Sequence, residues 1–142
     1  MISINYWAVV VSAVASMVIG FLWYGPLFGK AWSKLMGWGD MTPEKMKEMQ
    51  KKAMSGYAIQ FVGALLMAYT LAHALIFASA YLNASGWSAG LMAGFWNWLG
   101  FVVPVTVGSM LWEGKPVKLW FLNAGYFLVN LLLMGVILAL WV

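Results

Sequence analysis

Side chains that could carry a proton, hold an ion or line a polar path are few in this sequence, and they fall into two groups. One lies within long apolar stretches: Ser12 and Ser16, then Tyr69, Thr70 and His73, then Asn97, then Asn130. The other lies near the ends of such stretches: Gln60, Glu113 and Asn123. His73 is the single histidine, and imidazole is the side chain whose ordinary pKa lies near neutrality. One chemistry for the first group is therefore a proton-linked gate at His73, with Asn97 and Asn130 lining a solute path. The plainer chemistry is adhesive: polar side chains bonding helix to helix inside lipid, each bond worth roughly 0.6–2 kcal/mol. Glu113, close to Lys115, reads either as a gate for an ion or substrate or as an interfacial residue paired with a lysine. Gln60 and Asn123 would join it in a small polar cluster.

Catalysis is not expected. The chain has no cysteine, one histidine and four acidic residues. Asp40, Glu44 and Glu48 fall together in one connection, so the sequence provides no acid–base pair, nucleophile or metal-ligand set. No catalytic residue, metal ion or cofactor is expected. No Asp or Glu lies deep in an apolar stretch, which disfavours proton-coupled antiport through a buried carboxylate. There is no arginine, so bidentate recognition of phosphate or carboxylate is absent. The net charge of +4 does not point to nucleic acid, because the lysines cluster beside apolar spans and no nucleic-acid module is visible.

The elements that must position these groups follow from composition. The chain is 64% hydrophobic and 8% charged, against about 25% charged in an average soluble domain. Lipid is the solvent that suits it. Four segments are long enough to cross about 30 Å of hydrocarbon, near residues 4–24, 56–81, 87–112 and 118–141. The first lacks a basic leader and is too long for a signal peptide core, so an uncleaved first helix is expected. Counting 1.5 Å per residue from the outer ends places the first polar group at a shared depth of roughly 10–17 Å.

All eight lysines fall in two connections: Lys30, Lys34, Lys45, Lys47, Lys51 and Lys52 between spans one and two, and Lys115 and Lys118 between spans three and four. The positive-inside rule makes that side cytoplasmic and puts both termini outside, in a multi-pass protein of the cell membrane. Tyr6, Trp7, Tyr81, Trp87 and Trp141 would mark the outer interface, and Trp23, Tyr24, Trp112 and Trp120 the inner one. Thr42, Pro43 and Glu44 form a helix start. Met46, Met49 and Ala53 follow as an apolar stripe among lysines, which predicts a short amphipathic helix over 43–54 on the inner surface, leading into span two.

The phrase Leu22-Trp23-Tyr24-Gly25-Pro26 at the end of span one has an echo in Leu111-Trp112-Glu113-Gly114-Lys115-Pro116 at the end of span three. Each is followed by Lys-x-Trp, at Lys30–Trp32 and Lys118–Trp120. Spans two and four open on Gly56-Tyr57 and Gly125-Tyr126. Two parallel helical hairpins related by duplication would give this pattern; so would convergence on what any inner helix end needs. Trp23 to Trp32, together with Leu111 to Pro116 and Asn123 to Tyr126, resembles the signature of the bacterial and fungal membrane family called domain of unknown function 1761. The resemblance covers nearly the whole chain. It implies a four-span membrane protein and brings no activity, substrate or site.

The expected architecture is therefore all-α: a single transmembrane domain over 1–142, built as a four-helix bundle. Small residues recur every four positions at Ala8, Ser12, Ser16 and Gly20, at Ala64, Ala68 and Ala72, at Gly90 and Gly94, and at Gly100, Pro104 and Gly108. Such faces let helices approach closely, and four of them suggest a homo-oligomer or a membrane-protein partner beside the bilayer. Pro104 predicts a kink in span three. Two functions fit. One is transport or permeation of a small solute or ion by a homo-oligomer. The alternative is a non-transporting accessory subunit of a membrane complex. Transport requires a polar cavity at His73, Asn97 or Asn130; the accessory role requires those groups to be sealed.

Overall fold

The computed structural model describes residues 3–141. Those residues form an all-α bundle of six α-helices and two π-turns: α1 (Tyr6–Leu22), a π-turn (Trp23–Leu27), α2 (Gly29–Leu35), α3 (Pro43–Leu82), α4 (Gly86–Asn97), a second π-turn (Trp98–Val102), α5 (Val103–Leu111) and α6 (Val117–Leu140). Joined across the π-turns, four continuous helical stretches are long and apolar enough to cross a membrane: Tyr6–Leu27, Pro43–Leu82, Gly86–Leu111 and Val117–Leu140. The last two agree with the sequence reading to within one residue at each end.

The amphipathic segment expected over 43–54 is not a separate surface helix. It is the first part of α3, whose 40 residues would reach about 60 Å, twice the hydrocarbon thickness. Thr42 starts it as read from sequence, its Oγ1 accepting from the Lys45 amide at 3.4 Å, with Pro43 at the first helical position. From Pro43 to Gln60 nearly every side chain is exposed; burial begins in earnest at Ala64 and continues through Ala68, Leu71, Ala72 and Leu75. The helix ends at Asn83, which takes a left-handed φ of 50°, a conformation asparagine tolerates at a helix C-terminus. Gly86, at φ 71°, completes the short turn into α4.

α6 is the axis of the bundle. It contacts α1, α2, α3, α4, α5 and the second π-turn. α1 packs on α3 and α6, and α4 packs on α3 and α6. The α4–α6 contact is the closest. Gly90 and Gly135 face each other so tightly that a Cβ on either would overlap the other's backbone carbonyl, and Gly94 sits likewise on Leu131. Ala89, Ala93, Met134 and Leu138 fill in around them. In lipid no hydrophobic force draws helices together, so packing of this kind is what holds them. Three of the four small-residue faces are used in this way inside one chain, since Ala8, Ser12, Ser16, Ala64, Ala68, Ala72, Gly90 and Gly94 are all buried. The fourth is different: Gly100 would leave an added methyl in open space.

Both membrane-crossing prolines lie at or beside a widened turn. Pro26 is inside the first π-turn, where the Phe28 amide reaches back five residues to the Trp23 carbonyl at 2.9 Å. Pro104 follows the second, where the Val103 amide bonds the Trp98 carbonyl. Proline has no N–H and crowds the carbonyl four residues back; a π-turn opens the helix locally and relieves both. The distortion expected at Pro104 therefore sits just before it, and at Pro26 the chain continues into α2 where the sequence reading ended the span. The two echoing phrases differ locally as well. The first is a π-turn leading into α2; the second is a helix end, a turn at Gly114 with φ 67° and the start of α6.

The Gly90 contact gives a direct test. In reversible SDS unfolding, Gly90→Ala should cost about 1–3 kcal/mol by overpacking. Gly63→Ala, whose added methyl meets nothing, should leave stability unchanged or raise it by up to about 1 kcal/mol, the helix preference of alanine over glycine. Equal effects would mean that α4 and α6 do not touch at Gly90.

Candidate functional site

The seven polar residues read as one layer occupy three separate places. Ser12 and Ser16 on α1 and Asn130 on α6 are buried, and the two helices are in contact. Ser16 and Tyr126 line one cavity, and because α1 and α6 run antiparallel, one turn further along each helix brings Ser12 and Asn130 to the same level. These two are 0% and 1% exposed, and Ser12 Oγ and Asn130 Oδ1 lack a hydrogen-bond partner. Thr70 and Asn97 lie instead on the α3–α4 side, lining a largely apolar cavity of about 400 Å3 with Leu66 and Phe101. The Asn97 amide nitrogen donates to its own helix, to the Ala93 carbonyl at 2.8 Å. Tyr69 and His73 are on the outer part of α3, against α1. The His73 Nδ1–H donates to the Tyr69 carbonyl at 2.9 Å, the two rings meet edge-on at 4.5 Å, and Tyr69 stacks on Tyr6 at 6.4 Å.

The second group is divided between two cavities at the lysine-bearing end of the bundle. Glu113 and Asn123 line a cavity of about 570 Å3, walled by Tyr24, Trp32, Thr106, Ser109, Trp112 and Trp120. Gln60 lines a neighbouring one of about 660 Å3, with Ser16, Gly20, Tyr24, Trp32, Tyr57 and Tyr126. Tyr24, Trp32 and Phe127 belong to both. They separate the two spaces as part of an aromatic chain: Tyr126 to Tyr24 at 5.2 Å, Tyr24 to Trp32 at 5.1 Å, Trp32 to Trp38 at 4.7 Å.

One turn of α6 organises this end. The Trp23 indole N–H donates to the Leu122 carbonyl at 3.2 Å. The Tyr24 hydroxyl donates to Asn123 Oδ1 at 2.8 Å. The Trp98 indole N–H donates to the Ala124 carbonyl at 2.8 Å. Trp23 and Trp98 each begin a π-turn, so both distorted segments are tied to the same three residues. A fourth bond closes the far wall: the Trp120 indole N–H donates to Thr106 Oγ1 at 3.1 Å, and Thr106 donates to the Val102 carbonyl at 2.6 Å. Trp23, Tyr24 and Trp120 read from sequence as headgroup-level anchors. Their polar atoms instead bond within the chain, while Trp112 is 87% exposed and suits the interface. Nothing in the spacing of the tryptophans distinguishes these roles. The proline shortly after both Trp23 and Trp98 is the one sequence sign of them.

Comparison with known proteins agrees with the motif resemblance. A family model described as "Protein of unknown function (DUF1761)" matches residues 7–139. No curated protein and no solved structure matches the chain.

The bonds and the orphaned oxygens predict opposite responses. Trp98→Phe should cost about 1 kcal/mol, because it leaves the ring in place and removes one interhelical bond. Asn130→Leu should leave stability unchanged or raise it, because it removes a buried acceptor that has no donor. Both are read in the same SDS titration; a loss above about 2 kcal/mol for Asn130→Leu would show that its side chain is paired in the membrane.

Proposed function

This chain belongs to the DUF1761 family, whose function is unknown, and from its own geometry we propose that it binds a small solute at the lysine-bearing end and moves it across the bilayer. The observation that carries this reading is the 570 Å3 cavity, which combines aromatic walls with Glu113, Asn123, Thr106 and Ser109. Ligand sites of this kind are concave, mainly apolar and furnished with a few polar groups. The lysine-bearing end faces the cytoplasm in this reading and both termini lie outside, by the positive-inside rule.

A single packed bundle offers the solute no way onward. Beyond the cavity, Ala8, Ala13, Ala64, Ala68 and Met134 are closed on one another, and Gly90 sits on Gly135. Passage therefore requires movement at the π-turns or a second copy. π-Turns are common at functional positions because the widened ladder shifts easily, and the two here border the cavity end. Self-association, if it completes the path, is left to surfaces such as the one around Gly100. His73 has no part in this reading: its ring is held by its own helix, away from both cavities.

The closed core favours a second reading, in which the protein is a non-transporting subunit whose cavity receives a partner's side chain. Solid-supported-membrane recordings on proteoliposomes separate the two. Concentration jumps with a panel of small amines, quaternary ammonium ions, amino acids and carboxylates should give a transient current for at least one class. Ser109→Phe, which fills the cavity, should reduce that current about tenfold or more at unchanged protein content. Silence across the panel, or currents indifferent to Ser109→Phe, would favour the subunit reading.

A further inference from the structure

The lining of the 570 Å3 cavity is unusual in what it lacks. Eight lysines crowd this end of the chain, yet none lines the cavity; its one charged residue is Glu113. Four of the hydrogen-bond donors on its walls are already committed. Tyr24 donates to Asn123, Trp120 to Thr106, Thr106 to Val102, and Ser109 to the Thr106 carbonyl at 2.8 Å. What remains to meet a guest is the π-faces and edges of Tyr24, Trp32, Trp112 and Trp120, the indole N–H groups of Trp32 and Trp112, the Asn123 amide and a carboxylate. An anion would find no cation and few free donors. A neutral polar solute would lose its water for little in return. A cation wrapped in methyl or alkyl groups needs no donor or acceptor, is drawn to indole faces, and is neutralised by one carboxylate.

Resting on the solute-binding reading above, we propose that this cavity recognises an organic cation of the quaternary ammonium class, with Tyr24, Trp32 and Trp120 as its aromatic walls and Glu113 as its counter-charge. The tie of Tyr24 to Asn123 and of Trp120 to Thr106 fixes the two rings in advance, so little ordering is needed on binding. Trp32 is fixed from both sides, edge-on to Tyr24 at 5.1 Å and to Trp38 at 4.7 Å. Trp112, 87% exposed, is the wall that can fold over a guest. Glu113 stands at the rim and is itself exposed, so its removal does not leave a buried hole. The same chemistry arises from two sources, a free cation or the choline headgroup of a lipid.

The test uses the full chain in nanodiscs of phosphatidylethanolamine and phosphatidylglycerol, which contain no choline. Titration with tetraethylammonium and with choline is followed by tryptophan fluorescence and calorimetry, beside 3,3-dimethylbutan-1-ol, the uncharged isostere of choline. The cations should bind at least tenfold more tightly than the isostere. Glu113→Gln and Trp32→Leu should each weaken cation binding by about tenfold, and Glu113→Asp should retain part of it. If the source is a lipid, phosphatidylcholine added to the discs should compete with tetraethylammonium, and native mass spectrometry should retain it on the wild type and not on Glu113→Gln; if the source is a free cation, it should do neither. Equal binding of the isostere, or cation binding untouched by Glu113→Gln, overturns the proposal and leaves the solute-binding reading standing. Absence of cation binding overturns it too, and the Ser109→Phe-sensitive currents of the wider panel then decide whether the cavity binds another class.

Discussion

Hydrocarbon offers no partner to a polar atom, so each such atom in a membrane span must find one within the protein. In this chain the constraint falls most heavily on one turn of α6. Leu122, Asn123 and Ala124 accept from Trp23, Tyr24 and Trp98, and these come from the two helical stretches that flank α6 at that end. The bonds do more than satisfy indole and phenol. They pin both π-turns to the central helix, which fixes where α2 and α5 leave the bundle. The space left between those departing elements and α6 is the cavity that carries Glu113.

The bundle accordingly has two characters along its length. Toward the termini it is built from glycine, alanine and serine, and backbones meet directly at Gly90 and Gly135. Asn5 closes that end, its amide nitrogen donating to the Trp141 carbonyl at 2.9 Å. Toward the lysines it is built from rings, and α3 stands with residues 43–60 largely exposed. Small residues give close packing and no room; large rings held by specific bonds give walls with space between them. A site at the aromatic end and a closed core beyond it are two results of one change in side-chain size.

Much of this was legible in the residues. Span limits followed from hydrophobic length, with α4–α5 and α6 placed to within a residue. The small-residue faces named the helix contacts, though they serve this chain's own core and do not by themselves call for a second copy. Thr42, Pro43 and Glu44 marked the start of α3, and the Trp-Tyr-Gly-Pro phrase pointed to the right family. The polar layer was less legible, for a geometric reason. Counting 1.5 Å per residue gives the depth of a side chain, while its direction turns by about 100° at each step. Depth alone grouped His73, Asn97 and Asn130; direction sends them to three different surfaces. In the same way Glu113 and Asn123 share a cavity while Gln60, at similar depth on α3, faces the space beyond Tyr24. The π-turns were hidden because proline signals a disturbance without stating its form, and an indole that bonds a carbonyl is spelled like one that anchors at the headgroups.

The central claim is that the indoles of the two π-turns are tied to one turn of α6, and it is open to measurement in a bilayer. With tryptophan labelled by 15N at the indole and alanine by 13C at the carbonyl, solid-state dipolar recoupling should detect Trp98 beside Ala124. The hydrogen-bond geometry places that nitrogen about 4 Å or less from the carbonyl carbon. This account predicts a coupling that disappears in Trp98→Phe and persists in Trp96→Phe, whose indole is exposed. A spectrum in which Trp98→Phe removes no coupling would contradict it.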